Sequence, residues 1–232
     1  MTKIKLYELV GLDERYMSPF CWRAKMALAH KKLDFEIVPI KFTEKHKLKF
    51  SDQEQVPVIV DGEQVVADSW SIACYLEDTY SDAASLFTSE DQRRLLRVFN
   101  HWFDEIITLK LFPLVLPDNF DVVYPEDMDY YIESRRQWTG KTREELTQDR
   151  SEDDFIAWRA SLAPLREQLN GFDYFGGISP NFQDYIVFST FMWARAVSPW
   201  PIIKPGDIIH DWRERMLGLY DGLAGKTTGY HY

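Results

Sequence analysis

The chain has 232 residues, 45% hydrophobic and 15% aromatic, with eight tryptophans and 27 basic against 37 acidic side chains. That composition supports a buried core and excludes global disorder. The net charge of −10 makes a phosphate backbone an unfavourable partner, so nucleic acid is not expected. No run approaches the roughly 20 apolar residues of a membrane span. Met1–Leu9 alternates polar and apolar residues without the apolar stretch of a secretory signal. A cytoplasmic protein with no membrane association is therefore expected. The two cysteines, Cys21 and Cys74, are too few and too far apart for a disulfide framework or a metal site, and they fit a reducing compartment. No metal is expected.

In chain order, Ile4–Leu9 reads as a strand and Pro19–His30 as a helix, with Phe20, Ala24, Ala27 and Leu28 at helical spacing. Phe35–Ile40 is a second strand. The lysine-rich run Lys41–Lys49 reads as a solvated loop, one of whose cations is available to an anionic ligand. Val56–Val60 is a third strand, Asp61-Gly62 a hairpin turn, Gln64–Ala67 the returning strand, and Ser69–Tyr80 a helix. The β-α-β, then β-β-α order implies one parallel pair and an added antiparallel hairpin.

After a small polar linker, Ser81–Thr88, the sequence is helical. Leu95, Phe99, Trp102, Phe103 and Ile106 keep a 3.6-residue period, which Pro113 and Pro117 are expected to interrupt. Pro125–Trp138 reads as another helix. Ser151 caps one that ends at Gly171, with Pro164 expected to kink it. Asn181-Phe182-Gln183-Asp184 caps a helix whose interior, Tyr185–Val197, is almost wholly apolar and belongs at the centre of a bundle. His210–Leu223 supplies the last helix. The expected architecture is a small α+β domain at 1–80 followed by an all-helical domain at 89–232.

Three features carry chemistry. Ser18-Pro19 at a strand-to-helix turn is a good helix start in its own right. A hydroxyl there also stands where the helix N-terminus attracts anions, and it can donate a hydrogen bond to a thiolate just outside. Gln55-Val56-Pro57 is either an ordinary strand start or a site where Val56 pairs with an extended peptide. Asp68-Ser69 is either a simple cap or a grip for a substrate carboxylate, with Asp68 near a substrate ammonium. Tyr16, Phe20, Trp102 and Phe103 are candidates to wall an aromatic cleft, with core packing equally open. Trp193 is a further candidate for that cleft, but core packing is the favoured reading for it, and Cys21 reads as a small buried residue.

The order of these elements, with Ser18-Pro-x-x-x-Arg23, Val56-Pro57-Val58-Ile59 and Asp68-Ser69-Trp70-x-Ile72-Ala73-x-Tyr75-Leu76, resembles the glutathione transferases. The resemblance covers nearly the whole chain. It implies a thioredoxin-like first domain, a helical second domain and a homodimer, with glutathione as co-substrate and no metal. It implies that Ser18 is catalytic and that Ser18, Gln55, Val56, Pro57, Asp68 and Ser69 bind glutathione. It implies that a hydrophobic aromatic substrate meets Tyr16, Phe20, Trp102 and Phe103, and that Asn181 and Asp184 form a folding-related cap. Ser18–Arg23, Asp129-Tyr130 with Ser134–Trp138, and Pro180–Tyr185 are similar to the bacterial β-aryl-etherases and the related fungal Ser-type class. In those enzymes the thiolate displaces a phenoxide. General conjugation in detoxification and non-catalytic ligand binding are the alternatives.

Overall fold

Residues 3–231 are described by the structure, a computed structural model. Strand β1 (Ile4–Gly11) turns Ile4, Leu6, Glu8 and Val10 inward, the period-2 alternation that a half-buried strand requires. A short return, β2 (Arg15–Tyr16), leads into helix α1 (Pro19–His30). Strand β3 (Phe35–Ile40) then lies parallel to β1, with Leu6 opposite Ile37. Strand β4 (Val58–Asp61) lies antiparallel on the other side of β1, with Leu6 opposite Ile59, and β5 (Gln64–Ala67) pairs with β4. Gly62 makes the hairpin turn at φ 59°, a backbone state that costs a glycine least. Strand β4 starts two residues later than its apolar run, because Pro57 has no N–H to give the ladder. Helix α2 (Ser69–Thr79) closes this thioredoxin-like domain.

The helical domain follows as α3 (Glu90–Phe103), α4 (Leu109–Asn119), α5 (Met128–Thr139), α6 (Arg143–Gln148), α7 (Glu152–Ser161), α8 (Ala163–Leu169), α9 (Phe182–Val197) and α10 (Ile208–Gly222). Among the described residues, no helix is long and apolar enough to cross a membrane. The run Lys41–Lys49 is ordered as tight 3₁₀ turns over Phe42–Ser51 rather than an open loop, because Phe42 and Leu48 are buried beneath its lysines.

Two expectations about the helices need correction. Pro113 and Pro117 lie inside α4 rather than ending a helix. Leu111, Leu114, Val115 and Leu116 are buried around them, and this packing supports the turns that the missing N–H groups weaken. The inward residues of α3 are Leu96, Asn100 and Phe103, whereas Leu95 is 70% exposed and Trp102 lies at the surface. The helix is apolar on two sides, so periodicity alone does not say which side meets the core. By contrast, Pro164 marks a true break: α7 ends at Ser161 and α8 begins at Ala163.

Helix α9 is buried along its whole length. At its start the Asp184 carboxylate accepts hydrogen bonds from the backbone N–H groups of Phe175 (2.9 Å), Gly176 (3.0 Å) and Asn181 (2.9 Å) and from the Trp212 indole (2.9 Å). Four donors on one buried acceptor tie the preceding loop, α9 and α10 together. A Cβ at position 176 would meet the Ser179 carbonyl oxygen at 2.4 Å, so the loop also needs that glycine.

Helix α1 packs along α9, and the contact is locked by Arg23, which is fully buried. Its Nε donates to Ser189 Oγ (3.1 Å) on α9. Its two terminal nitrogens donate to Asn100 Oδ1 (3.1 Å) and to the Asp104 carboxylate (3.0 and 2.5 Å). Asp104 opens the π turn Asp104–Thr108 between α3 and α4.

Asp184→Asn replaces one acceptor oxygen with a donor facing N–H groups. It is expected to lower stability by about 3 kcal/mol, read as a lower denaturant midpoint at unchanged slope; an unchanged midpoint would contradict this role.

Candidate active site

The site begins with the first turn of α1. Ser18 is its N-cap: Oγ accepts the Cys21 N–H at 3.3 Å, and the Ser18 carbonyl accepts the Trp22 N–H at 3.2 Å. Pro19 occupies the first helical position, where its missing N–H costs nothing. Ser18 Oγ accepts from the backbone and so keeps a proton to donate; the buried Cys21 thiol is one acceptor within its reach, and a group in front of the helix start is another.

Ser18 stands in a wall shared by two cavities. The first, of about 310 Å³, has a polar rim containing Lys41, Lys45, Glu54, Gln55 and Arg135. The second, of about 280 Å³, is walled by Phe20, Phe42, Phe112, Trp138 and Trp193. Ser18, Phe20, Phe42, Leu9 and Arg135 border both. A third cavity, of about 180 Å³, is adjacent through Phe20, Gln55 and Val56, and is completed by Gln53, Pro57, Asp68 and Ser69. The three sequence features thus meet on one face, with Ser18 at one end and Asp68-Ser69 at the other.

The Val56–Pro57 peptide bond is cis, and the Pro57 carbonyl accepts the Asp68 N–H at 3.2 Å. Asp68, rather than Ser69, is the cap of α2, with its carboxylate accepting the Ser71 N–H at 2.9 Å. Its φ of 75° is unfavourable for a residue with a side chain, and such strain clusters at binding sites. Of the basic run, Lys41 and Lys45 reach the polar rim. Lys41 is paired with Glu126 and Lys47 with Glu44, while the Lys45 ammonium lies 5.3 Å over the Tyr130 ring.

Cys21 is fully buried behind Ser18, and burial pushes its thiol up to about 12. It stays protonated at neutral pH and is no redox partner for anything in the cavities. Below α1 the Lys25 ammonium lies 2.7 Å from the Glu8 carboxylate, both buried.

The aromatic wall differs from the expected one. Phe20 lines all three cavities. The Tyr16 ring instead covers the Lys25 ammonium at 4.0 Å, Phe103 is buried beside Phe99, and Trp102 packs on Phe99 at the surface; none of the three borders these cavities. Their places are taken by Trp193, stacked on Phe112 at 5.4 Å, and by Trp138, edge-on to Phe112 at 4.0 Å. Trp193 is only 3% exposed, as a core residue should be, yet its ring is cavity wall.

The sequence matches the models of the glutathione S-transferase N-terminal domain over residues 17–79 and of the C-terminal domain over residues 95–215, the second alone more than half of the chain. The chain belongs to the glutathione S-transferase family. Among relatives it is 25% identical over 185 residues to glutathione S-transferase U28 of Arabidopsis thaliana, covering 78% of this chain and 71% of that protein. Among solved structures it is similar to glutathione transferase GSTFuA3 from Phanerochaete chrysosporium, with a TM-score of 0.76, 26% identity and 96% and 93% of the two chains covered. It also shares its fold with CsGST63524 of Ceriporiopsis subvermispora, solved in complex with glutathione, with a TM-score of 0.80, 20% identity and 98% and 99% coverage.

Within this family member the cavity residues that sequence reasoning missed come from α4, α5 and the turn after β3, where Phe42 lies; Trp193 of α9 was weighed for the cleft and read as core. Trp138 and Arg135 lie in a segment singled out only by resemblance. Phe112 carried no signal, because its neighbour Pro113 made the segment read as a break rather than as a cavity-facing helix.

Proposed function

We propose that the protein is a Ser-type glutathione S-transferase. Glutathione is the co-substrate, and its thiolate, hydrogen-bonded by Ser18, attacks a hydrophobic aromatic electrophile, cleaving a β-aryl ether. The carrying observation is the position of Ser18 in the wall common to a cavity with a polar rim and an aromatic cavity. The polar side offers a γ-glutamyl grip at Asp68-Ser69, an extended-peptide partner at Gln55-Val56-Pro57 and the Lys45 ammonium for a terminal carboxylate. Glutathione in the CsGST63524 complex supports the same ligand.

The magnitudes are sufficient. A free thiol titrates near 8.5. A hydrogen bond to a charged group is worth about 1.5–3 kcal/mol, and each pKa unit is about 1.36 kcal/mol. One Ser18 hydrogen bond, aided by the α1 dipole, lowers the bound thiol by about one to two units. Ser18 need not become a nucleophile. The sulfur attacks carbon, the carbon–oxygen bond breaks, and the electron pair leaves on the aryl oxygen. Aromatic walls of Phe20, Phe112, Trp138 and Trp193 fit the aryl groups of such a substrate. A cytoplasmic setting fits the two cysteines, which are free thiols.

A homodimer is part of the same reading. Leu95 (70% exposed), Val98 (68%), Trp102, Ile106 and Leu109 make an apolar line at the surface from α3 into α4, the kind of surface that a second copy covers.

Ser18→Ala is expected to cut turnover at least about tenfold, while calorimetry still finds glutathione binding. Unchanged turnover would remove Ser18 from the chemistry. With a β-aryl ether ketone carrying a fluorescent phenol, the expected result is glutathione-dependent phenol release. Conjugation of a generic electrophile without phenol release would leave general conjugation as the activity. In sedimentation, the wild type is expected as a dimer and the Leu95→Glu/Val98→Glu variant as a monomer; a monomeric wild type would contradict the dimer.

A further inference from the structure

Among the described residues, Arg135, on α5, is the one charged residue bordering the aromatic cavity, and it also borders the polar-rimmed cavity beside Ser18. Among the described residues no carboxylate pairs with it. Its guanidinium is instead held by rings, 4.6 Å from the Tyr131 centroid, 5.6 Å from Phe42 and 6.0 Å from Trp138. Its Nε is buried without a hydrogen-bond partner.

This is an unusual position for an arginine in a protein of net charge −10. Two other inward arginines are satisfied by anions: Arg23 by Asp104 and Arg150 by Asp118. A cation held on aromatic faces, lacking a carboxylate, is selective for an anion delivered into the cavity. Against an apolar wall its attraction to developing charge is stronger than in open water.

We propose that Arg135 is a catalytic residue that receives the negative charge of the leaving oxygen, which makes the protein selective for electrophiles that expel an aryloxide. The inference rests on the thiolate-attack reading above. As the sulfur–carbon bond forms, the carbon–oxygen bond breaks and both of its electrons go to the aryl oxygen. The aryloxide pairs with the guanidinium and later takes its proton from water. Ser18 and Arg135 then divide the work: one holds the negative charge before the step, the other after it. No oxidant, reductant or metal enters the balance.

The test is a series of β-aryl ethers whose leaving phenols span acidic nitrophenols to unsubstituted phenol, with kcat and KM measured for the wild type, Arg135→Gln and Arg135→Lys. If Arg135 stabilises the aryloxide, Arg135→Gln loses about 100-fold in kcat for the least acidic phenol and only a few-fold for the most acidic, so the dependence of rate on leaving-group pKa steepens. Arg135→Lys, which keeps the charge but not the planar fork, recovers part of that slope. An equal loss across the series would overturn the proposal and make Arg135 a packing residue. A raised KM for glutathione with an unchanged slope would overturn it in favour of Arg135 holding a glutathione carboxylate. If the wild type releases no phenol from any member, ether cleavage itself fails and the proposal with it, an outcome seen before any variant is compared.

Discussion

The guanidinium of Arg23 is the constraint on which the geometry of this protein depends. It is buried where the two domains meet, and four of its five N–H groups are answered by Ser189, Asn100 and Asp104. A buried ion pair is not stabilising merely by existing, since desolvation offsets most of the attraction. Its value lies in position: removing one partner leaves an unpaired buried charge, at a cost of about 3–5 kcal/mol. The observed register of α1 against α3 and α9 satisfies it. Because Ser18 lies just over one turn before Arg23 on the same helix, that register also fixes where the Ser18 hydroxyl stands relative to the helical domain.

From this follows the contrast between the two cavities. The thioredoxin-like domain supplies backbone and short polar side chains at Gln55–Pro57 and Asp68-Ser69, suited to a peptide. The helical domain supplies rings from α4, α5 and α9, suited to a flat apolar group. The protein as a whole is strongly acidic, yet with Lys41 paired to Glu126, Lys45 and Arg135 still outnumber Glu54 around the polar rim. Local charge thus opposes net charge where an anionic tripeptide is proposed to bind, which is how a field is focused on a site.

Much of the first domain was legible because its signals are local. Ser18-Pro19, Asp61-Gly62 and Phe35–Ile40 are fixed by caps, turns and β-branched runs within a few residues. The cap of α9 was legible for the same reason: Asn181 and Asp184 form a box with the backbone beside them. What depended on contacts between distant segments was not legible. The inward side of α3 is chosen by Asn100, a polar residue buried because Arg23, 77 positions away, needs an acceptor. Trp102 and Phe103 looked equally suitable for the cleft, but one turned to the surface and the other to the core. Trp193 was read correctly as buried, yet burial in the helical bundle and exposure to a cavity are compatible, and only the position of Phe112 and Trp138 reveals the second.

The account reduces to one electrostatic claim, that the Ser18 hydroxyl keeps a bound thiol ionised. The direct measurement is the ultraviolet absorbance of the glutathione thiolate bound to the protein, titrated against pH for the wild type and Ser18→Ala at saturating glutathione. The expected result is a bound-thiol pKa about one to two units below the free value of about 8.5 in the wild type, returning towards it in the variant. Identical titration curves for the two proteins would contradict the claim.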